Sequence, residues 1–405
     1  MEEQITEWRG GRAANPRGTN QSGLRAYNER LVLSMLHRQG AMAGSDVARL
    51  AGLSAQTVSV IMRRLEQDGL LLRGDPVRGK VGKPSVPMSV NPDGAFAIGL
   101  KIGRRTADLV LADLMGQPRI QLHAAYRYPM PEAIVDFLKD GIATIKRELT
   151  KEEFGRIAGI GIAKPYEIWS WHESIGAPEG EIARWKLLNF EDEIAQFTHL
   201  PVYVDNDATA ACRAEHIYGR GRELGSFGYF YIGSFVGGGI VLNDTVFDGA
   251  LGNAGSFGSL PARRADGTAC QLVDAASLYL LEADLARAGV DPSRLWVQPQ
   301  EWSDFSDVLD DWIERTSAQL AQACLTVCAV VDFDTILLDG AFPEAVRKRM
   351  VERTRSIMSS LDHRGLIIPK LEGGTIGRNA RALGAASAPM FSQFLLNTHA
   401  GFAQG

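Results

Sequence analysis

The chain has 405 residues, 45% of them hydrophobic and 22% charged, more than one core usually serves, so two or three globular domains are expected rather than a fibre or a disordered tail. No apolar run approaches the roughly 20 residues that a membrane span needs, and the N-terminus is charged rather than signal-like, which points to the cytoplasm. The net charge of −5 conceals an asymmetry: residues 1–90 carry 13 Lys+Arg against 8 Asp+Glu, and the remainder carries 30 against 40.

A basic head on an acidic body suggests that the first part meets a polyanion. Residues 1–22 combine Gly10, Gly11, Asn15, Pro16 and Gly18 with Arg9, Arg12 and Arg17, a composition that buries little and reads as a flexible basic arm or a plain tail. From Tyr27 the pattern turns helical, with Leu31, Leu33, Met35 and Leu36 as its apolar face up to Gly40. A short second helix holds Val47, Ala48, Leu50 and Ala51, with Ser45 as its expected N-cap. Gly52 permits a sharp turn. Ser54 is then placed to cap a third helix that stops at Gly69, a residue suited to the left-handed C-terminal position.

Helix, glycine turn and capped helix form the layout of a helix-turn-helix. Val58, Ile61 and Leu65 recur in the third helix at the spacing of a buried stripe, which leaves Gln56, Thr57, Ser59 and Arg63 facing outward. Side chains of these types reach base edges and phosphates from the major groove. The strand-like "GLLLRGD" and the glycine-punctuated "PVRGKVGKPSVPMSV" follow, the latter predicted to be a wing whose Arg78, Lys80 and Lys83 contact phosphates or a minor groove. The competing reading is a winged helix used for protein–protein contact; the glycine-flanked cations and polar outer face favour double-stranded DNA.

Beyond Asn91 and Pro92, "AFAIGLKIGRRTADLVLADLMGQ", "IAGIGIAKP", "PVYVDNDATAACRAEHIYG", "FGYFYIGSFVGGGIVLNDTVFDG" and "DTILLDGAFP" read as strands alternating with helical stretches. That alternation predicts an α/β body of two lobes. The four cysteines, Cys212, Cys270, Cys324 and Cys328, do not make a dense disulfide framework in so long a chain, and Cys324 and Cys328, four apart with no histidine or third cysteine beside them, read as buried small hydrophobes.

The segments "VDNDATAA" and "GSFVGGGIVLN" resemble those of the ROK family (repressors, open reading frames and kinases), on the actin-like ATPase fold. With the winged helix included, the likeness covers nearly the whole chain and is to the xylose and N-acetylglucosamine repressor branch. The resemblance implies domains at 1–22 (arm), 23–92 (winged helix-turn-helix), 93–208 (first lobe) and 209–405 (second lobe, its final helix returning to the first). Asn206 and Asp207 match the family's sugar-contacting pair, in which the Asp is the kinase's general base.

Departures from the kinase pattern carry the functional expectation. Where the kinase phosphate loop has an Asp followed by Gly-Gly-Thr, this chain reads "LKIGRRT". Lys101 replaces the carboxylate and Arg104 and Arg105 replace small residues, which is hard to reconcile with Mg-ATP catalysis. The adenosine-side glycine pair appears as Asp339, Gly340 and Ala341. At the family's "ExGH" the chain has Ser256 and Ser259, only Cys270 remains of the cysteine cluster, and Val273 with Asp274 stands where a Glu is usual. One thiol and no histidine do not make a tetrahedral site, so no zinc and no other cofactor is expected.

Asn206, Asp207, Ser256 and Ser259 are thus the candidate effector ligands, for a sugar, ketose or polyol. Trp185 is a further candidate, for stacking on a sugar face, though a lone tryptophan is more often core. The expected protein is a non-enzymatic, cytoplasmic repressor acting as a homodimer or homotetramer, because half-sites need paired readers. Its lobes would close on the effector and signal through residues 85–95. Two rivals are an ATP-dependent sugar kinase with an appended DNA reader and a DNA-binding scaffold that ignores ligands.

Overall fold

A computed structural model describes residues 21–76, 85–165, 168–171, 176–264 and 266–396. They form two compact units, one made of the residues up to Gly94 together with those from Phe391 onward, the other of Ala95–Met390.

In the first unit, α1 (Gln21–Gln39), α2 (Gly44–Ala51) and α3 (Ala55–Gln67) are followed by a small antiparallel sheet of order β1-β3-β2, with β1 at Met42–Ala43, β2 at Leu71–Arg73 and β3 at Pro87–Val90. Val32, Met35, Leu36, Val47, Val58, Ile61 and Leu65 are buried in its core, so the apolar positions read from the sequence do face inward. Three helices on a three-stranded sheet make a winged helix. α2 differs from expectation at its start: Ala43, not Ser45, is the N-cap and gives no side-chain hydrogen bond, because the chain enters directly from β1. Arg78, Lys80 and Lys83 lie outside the described residues, as does nearly all of the arm at 1–22.

The second unit contains two five-stranded sheets of like design. The first has the order β6-β5-β4-β7-β8, from β4 (Phe96–Ile102), β5 (Thr106–Asp113), β6 (Pro118–Ala125), β7 (Ile157–Lys164) and β8 (Val202–Asn206). The second has the order β11-β10-β9-β14-β15, from β9 (Phe227–Ile232), β10 (Val236–Leu242), β11 (Thr245–Val246), β14 (Thr335–Gly340) and β15 (Lys370–Gly373), with β12 (Pro261–Arg263) and β13 (Ala269–Gln271) paired apart. In each sheet an antiparallel meander of three strands continues into two parallel ones. This repetition is the two-lobed actin-like body.

Helix α4 (Pro131–Glu148) packs its Ile134, Leu138, Ile142 and Ile145 into the apolar core of the first lobe. α5 (Asp207–Tyr218) follows β8 without a loop, while α6 (Ser306–Val331) and α7 (Glu344–Ser360) run against each other in the second lobe. The last helix, α8 (Ala380–Gln393), lies on the first sheet. A Cβ on Gly99 or Gly161, which are paired across β4 and β7, would stand 2.0 and 1.8 Å from the carbonyl oxygens of Ala382 and Ala385. Only glycine permits that approach.

Candidate functional site

The outer face of α3 is set by its cap. The Ser54 hydroxyl accepts the Thr57 N–H at 3.1 Å, Gly52 turns with φ +64°, and Gly69 follows the helix at φ +74°. Burial of Val58, Ile61, Met62 and Leu65 leaves Gln56, Ser59 and Arg63 exposed. Thr57 is only half-exposed, its hydroxyl 2.8 Å from that of Ser54, so it serves the cap as well as the outer face. Arg64 pairs with Glu29 and Asp68, and Arg73 with Glu66; among the described residues Arg63 forms no ion pair. Val60 is 53% exposed on the same face, an apolar group of the kind that meets thymine methyls.

The same unit contains a feature with no sequence signal. The half-buried Arg30 on α1 donates from Nε to the Leu395 carbonyl at 3.1 Å and from Nη2 to Phe391, and the Leu396 N–H reaches the Ser34 hydroxyl at 2.9 Å. The segment from Phe391 to Leu396 is thereby tied to the first helix of the reader.

In the body, the junction of β8 and α5 positions the acidic pair. The Asn206 side-chain oxygen caps α5, accepting the N–H groups of Ala208 and Thr209 at 2.9 and 3.2 Å. That leaves its amide nitrogen for a ligand. Asp207 begins the helix and takes the Arg381 guanidinium at 3.1 Å. Asn206, Asp207, Ser256 and Ser259 all line one cavity of about 190 Å³, with Arg104, Arg381, Tyr231, Asn253 and Gln271. Sequence reasoning named the first four. Arg104 entered it only as a defect in the kinase pattern, and Arg381, 174 residues from Asp207 along the chain, not at all.

Trp185 requires correction. Its ring is 4% exposed in the core of the first lobe, tilted against Phe190 with centroids 5.5 Å apart, and its indole N–H donates to the Pro129 carbonyl at 2.9 Å. Such a ring presents no face to a sugar. Trp185→Phe is expected to lower stability by about 1 kcal/mol through the lost hydrogen bond while leaving effector affinity unchanged; denaturant unfolding and ligand titration of the same variant check both.

The altered phosphate loop resolves into three different roles. Lys101, 3% exposed, lies directly across the β4–β5 ladder from Asp108 and donates to its carboxylate at 3.1 Å and to the Thr106 carbonyl at 3.0 Å. Asp108 is shared: His123 Nδ1 lies 2.6 Å from it and Arg378 Nη2 3.4 Å. Burial lowers the Lys101 pKa to about 8, helped by Arg381 and opposed by Asp108, so it is charged at neutral pH. Burial works against ionised Asp108 too, but Lys101, His123 and Arg378 prevail and hold its carboxyl well below the usual range. Arg105 turns away to a fork on Glu282, at 3.1 Å from both Nε and Nη2. Arg104 alone faces the cavity, its guanidinium 3.7 Å above the Phe235 ring.

In β14, Asp339 is wholly buried and accepts the N–H groups of Gly377 and Gly340 at 2.8 and 2.9 Å and Arg347 at 3.1 Å. Glu215, equally buried, takes the N–H groups of Thr375 and Ile376 at 3.0 Å. The chain's own carboxylates therefore satisfy the amides of this loop. Asp274 lies away from the cavity, bonded to Tyr279 at 3.0 Å and near Arg264. The zinc and Mg-ATP that the kinase fold implies do not fit these residues: among the described residues Cys270 belongs to no metal-holding cluster, and a lysine ion pair fills the metal-organising position. Among the described residues no cluster of three or more His, Cys, Asp or Glu side chains could hold a metal ion, and no helix is long and apolar enough to cross a membrane.

Fold and cleft together define a winged-helix reader joined to a two-lobed actin-like body, and the chain belongs to the ROK family, which residues 97–388 match, while residues 27–76 match the MarR family. The protein y4fQ of Sinorhizobium fredii is 26% identical over 383 residues, 91% of this chain and 92% of that one. The xylose repressor of Bacillus spizizenii is 23% identical over 241 residues, and the match spans 60% of this chain and 62% of the repressor. Among solved structures, a ROK family transcriptional regulator homologous to the E. coli MLC protein superposes with a TM-score of 0.65 at 20% identity, over 92% of this chain and 98% of that one. A ROK family glucokinase from Streptomyces griseus, in complex with glucose and AMPPNP, gives 0.57 at 18% identity, over 72% of this chain and 98% of that one.

Proposed function

We propose that this protein is a sugar-responsive transcriptional repressor, reading operator DNA with α3 and its wing and binding a carbohydrate effector in the cleft of the body without phosphorylating it. The observation that carries this reading is the buried Lys101–Asp108 ion pair at the position where the kinases of the family organise metal. A cation locked there repels magnesium, and Asp207, already paired with Arg381, has no phosphoryl donor to serve. The carboxylates of Glu215 and Asp339 act in the same direction, because they occupy the amides of residues 375–377 that phosphate oxygens would otherwise seek.

The chain passes between the units twice, at Gly94–Ala95 and at Met390–Phe391, the second time within α8. α8 carries Arg381 in its first turn, and the residues that follow it are tied to α1 through Arg30. An effector that re-pairs Arg381 thus acts on a helix whose far end belongs to the reader, a second route beside residues 85–95. Ligand then shifts the population between reader arrangements that do and do not suit the operator. Two readers per operator call for a homodimer or homotetramer.

The test begins with an operator selected from random duplexes by the purified full-length protein. Arg63→Ala is expected to weaken binding by about 1–3 kcal/mol, and Lys80→Ala to reduce the salt slope by about one unit; anisotropy titrations over a salt series measure both. ATP-dependent sugar phosphorylation that disappears in Asp207→Ala would replace the repressor reading with that of a kinase carrying a DNA reader. Unchanged DNA affinity in both variants would move the contact off α3 and the wing.

A further inference from the structure

We propose that each operator half-site carries two A·T pairs under the N-terminal half of α3: an adenine read by the Gln56 amide and, within two base pairs of it, a thymine whose methyl group packs on Val60. The assignment rests on α3 being the DNA-reading helix and names the bases that this helix selects.

The direction in which each side chain leaves the helix comes first. Successive residues turn by about 100°, so the buried Val58, Ile61, Met62 and Leu65 fix one side of α3. Opposite them, within an arc of about 60°, stand Gln56, Val60, Arg63 and Gln67, all exposed. Thr57 and Arg64 lie to one flank, where the Thr57 hydroxyl meets Ser54 and Arg64 pairs with Glu29 and Asp68. Glu66 lies to the other and holds Arg73. The outermost stripe is therefore polar, basic and apolar, with no carboxylate.

Base chemistry then discriminates. In the major groove cytosine offers a donor, which suits a carboxylate, and guanine two acceptors, which suit an arginine or lysine. Neither type stands at position 56 or 60. The amide of a glutamine both donates and accepts, the complement of adenine's N7 and amino group, and an aliphatic side chain meets the apolar group of the groove, the thymine methyl. Recognition helices touch base edges with their N-terminal residues, and Gln56 is the second residue of α3. Val60 follows one turn later, about 6 Å along the axis, which is less than two base-pair steps of about 3.4 Å each.

The fold itself does not call for Val60. Single apolar residues are common on surfaces, but a β-branched one is disfavoured in a helix, and at 53% exposure this side chain gains little from burial. Among the described residues of α3 it is the one large apolar side chain left exposed. It also stands in the middle of the outermost stripe, between Gln56 and Arg63, where a duplex would cover it.

The experiment uses the full-length protein and the duplex it selects from a random pool. Thymines of the selected half-site are replaced one at a time by deoxyuridine, which deletes only the methyl group, and adenines by 7-deazaadenine, which deletes only the N7 acceptor. Anisotropy gives the affinity of the native protein, Val60→Ala and Gln56→Ala for each duplex. One uracil position is expected to weaken native binding about fourfold, the worth of a buried methyl, and to have no further effect on Val60→Ala. One deaza position within two base pairs of it is expected to cost at least about fivefold and to have no further effect on Gln56→Ala. Each variant should keep the other's analogue effect, which a misfolded reader would not. A half-site with G·C at both positions, no analogue effect in the native protein, or effects that persist unchanged in the variants would overturn the base assignment and leave the DNA-binding reading intact. If no duplex is selected, the repressor reading fails and the base assignment with it.

Discussion

Asp108→Ala is expected to destabilise the body by about 3–5 kcal/mol, measured as the shift in the urea midpoint of the full-length protein at neutral pH. The substitution removes one carboxylate and leaves Lys101, 3% exposed, beside Arg378 with no anion in contact. The loss is that of an uncompensated buried charge, not the net worth of the pair. Hence Lys101→Met combined with Asp108→Leu, which deletes both charges at one rung of the β4–β5 ladder, is expected to recover most of the stability. A double variant no better than Asp108→Ala would mean that Asp108 acts through something other than Lys101.

The acid limb of stability carries a second signature of the same contact. A carboxyl whose pKa is depressed on folding contributes stability above its unfolded value of 3.8 and loses it as pH falls through the folded value. The difference between the native protein and Asp108→Asn should therefore be full at neutral pH and shrink as pH falls below about 4. Lys101 acts in the same direction over another interval: lowered to about 8 from 10.5, it makes the folded state relatively more stable as pH rises across that interval.

The reader was legible in the sequence because its signals are local. Ser54, Gly52 and Gly69 act within a turn of themselves, and the stripe of Val58, Ile61 and Leu65 needs only one helix to be recognised. In the body, the family pattern brought Asn206, Asp207, Ser256 and Ser259 to one cavity although about 50 residues separate the pairs. The partner of Lys101 was within reach too: a tight turn at Arg104–Arg105 pairs residues 101 and 108. What stayed hidden was long-range. Nothing near Arg381 or Arg30 indicates that one closes on Asp207 and the other on the carbonyls of Phe391 and Leu395, because neither contact follows from periodicity. Trp185 was misassigned since an indole that donates to a backbone carbonyl inside a core and one that stacks on a sugar look alike in a sequence.

Gly384→Ala is expected to unseat α8, destabilising the body by about 3 kcal/mol or more, at the upper end of what overpacking produces. A Cβ there would lie 1.7 Å from the carbonyl oxygen of Ala210 in α5. The obstacle is backbone inside a helix, so no rotamer change relieves it. Gly161→Ala presses on the other side of the same helix, 1.8 Å from the Ala385 carbonyl, and should act alike. Gly180, in the short helix Glu179–Ile182, has nothing within 4 Å of its Cβ position and an ordinary φ; Gly180→Ala is expected to be neutral or slightly stabilising. Thermal unfolding of the three variants separates a steric cause from a general intolerance of alanine for glycine. Gly384 stands one turn from Arg381, whose pairing with Asp207 depends on where α8 sits. The Gly384 variant should therefore also lose effector binding. By contrast, α3 remains capped by its own Ser54 within the separate reader unit, so operator binding without ligand should persist. Loss of both activities together would show that the reader cannot fold without a properly seated α8, and the tie between Arg30 and the carbonyls of Phe391 and Leu395 names the contact through which it would depend on it.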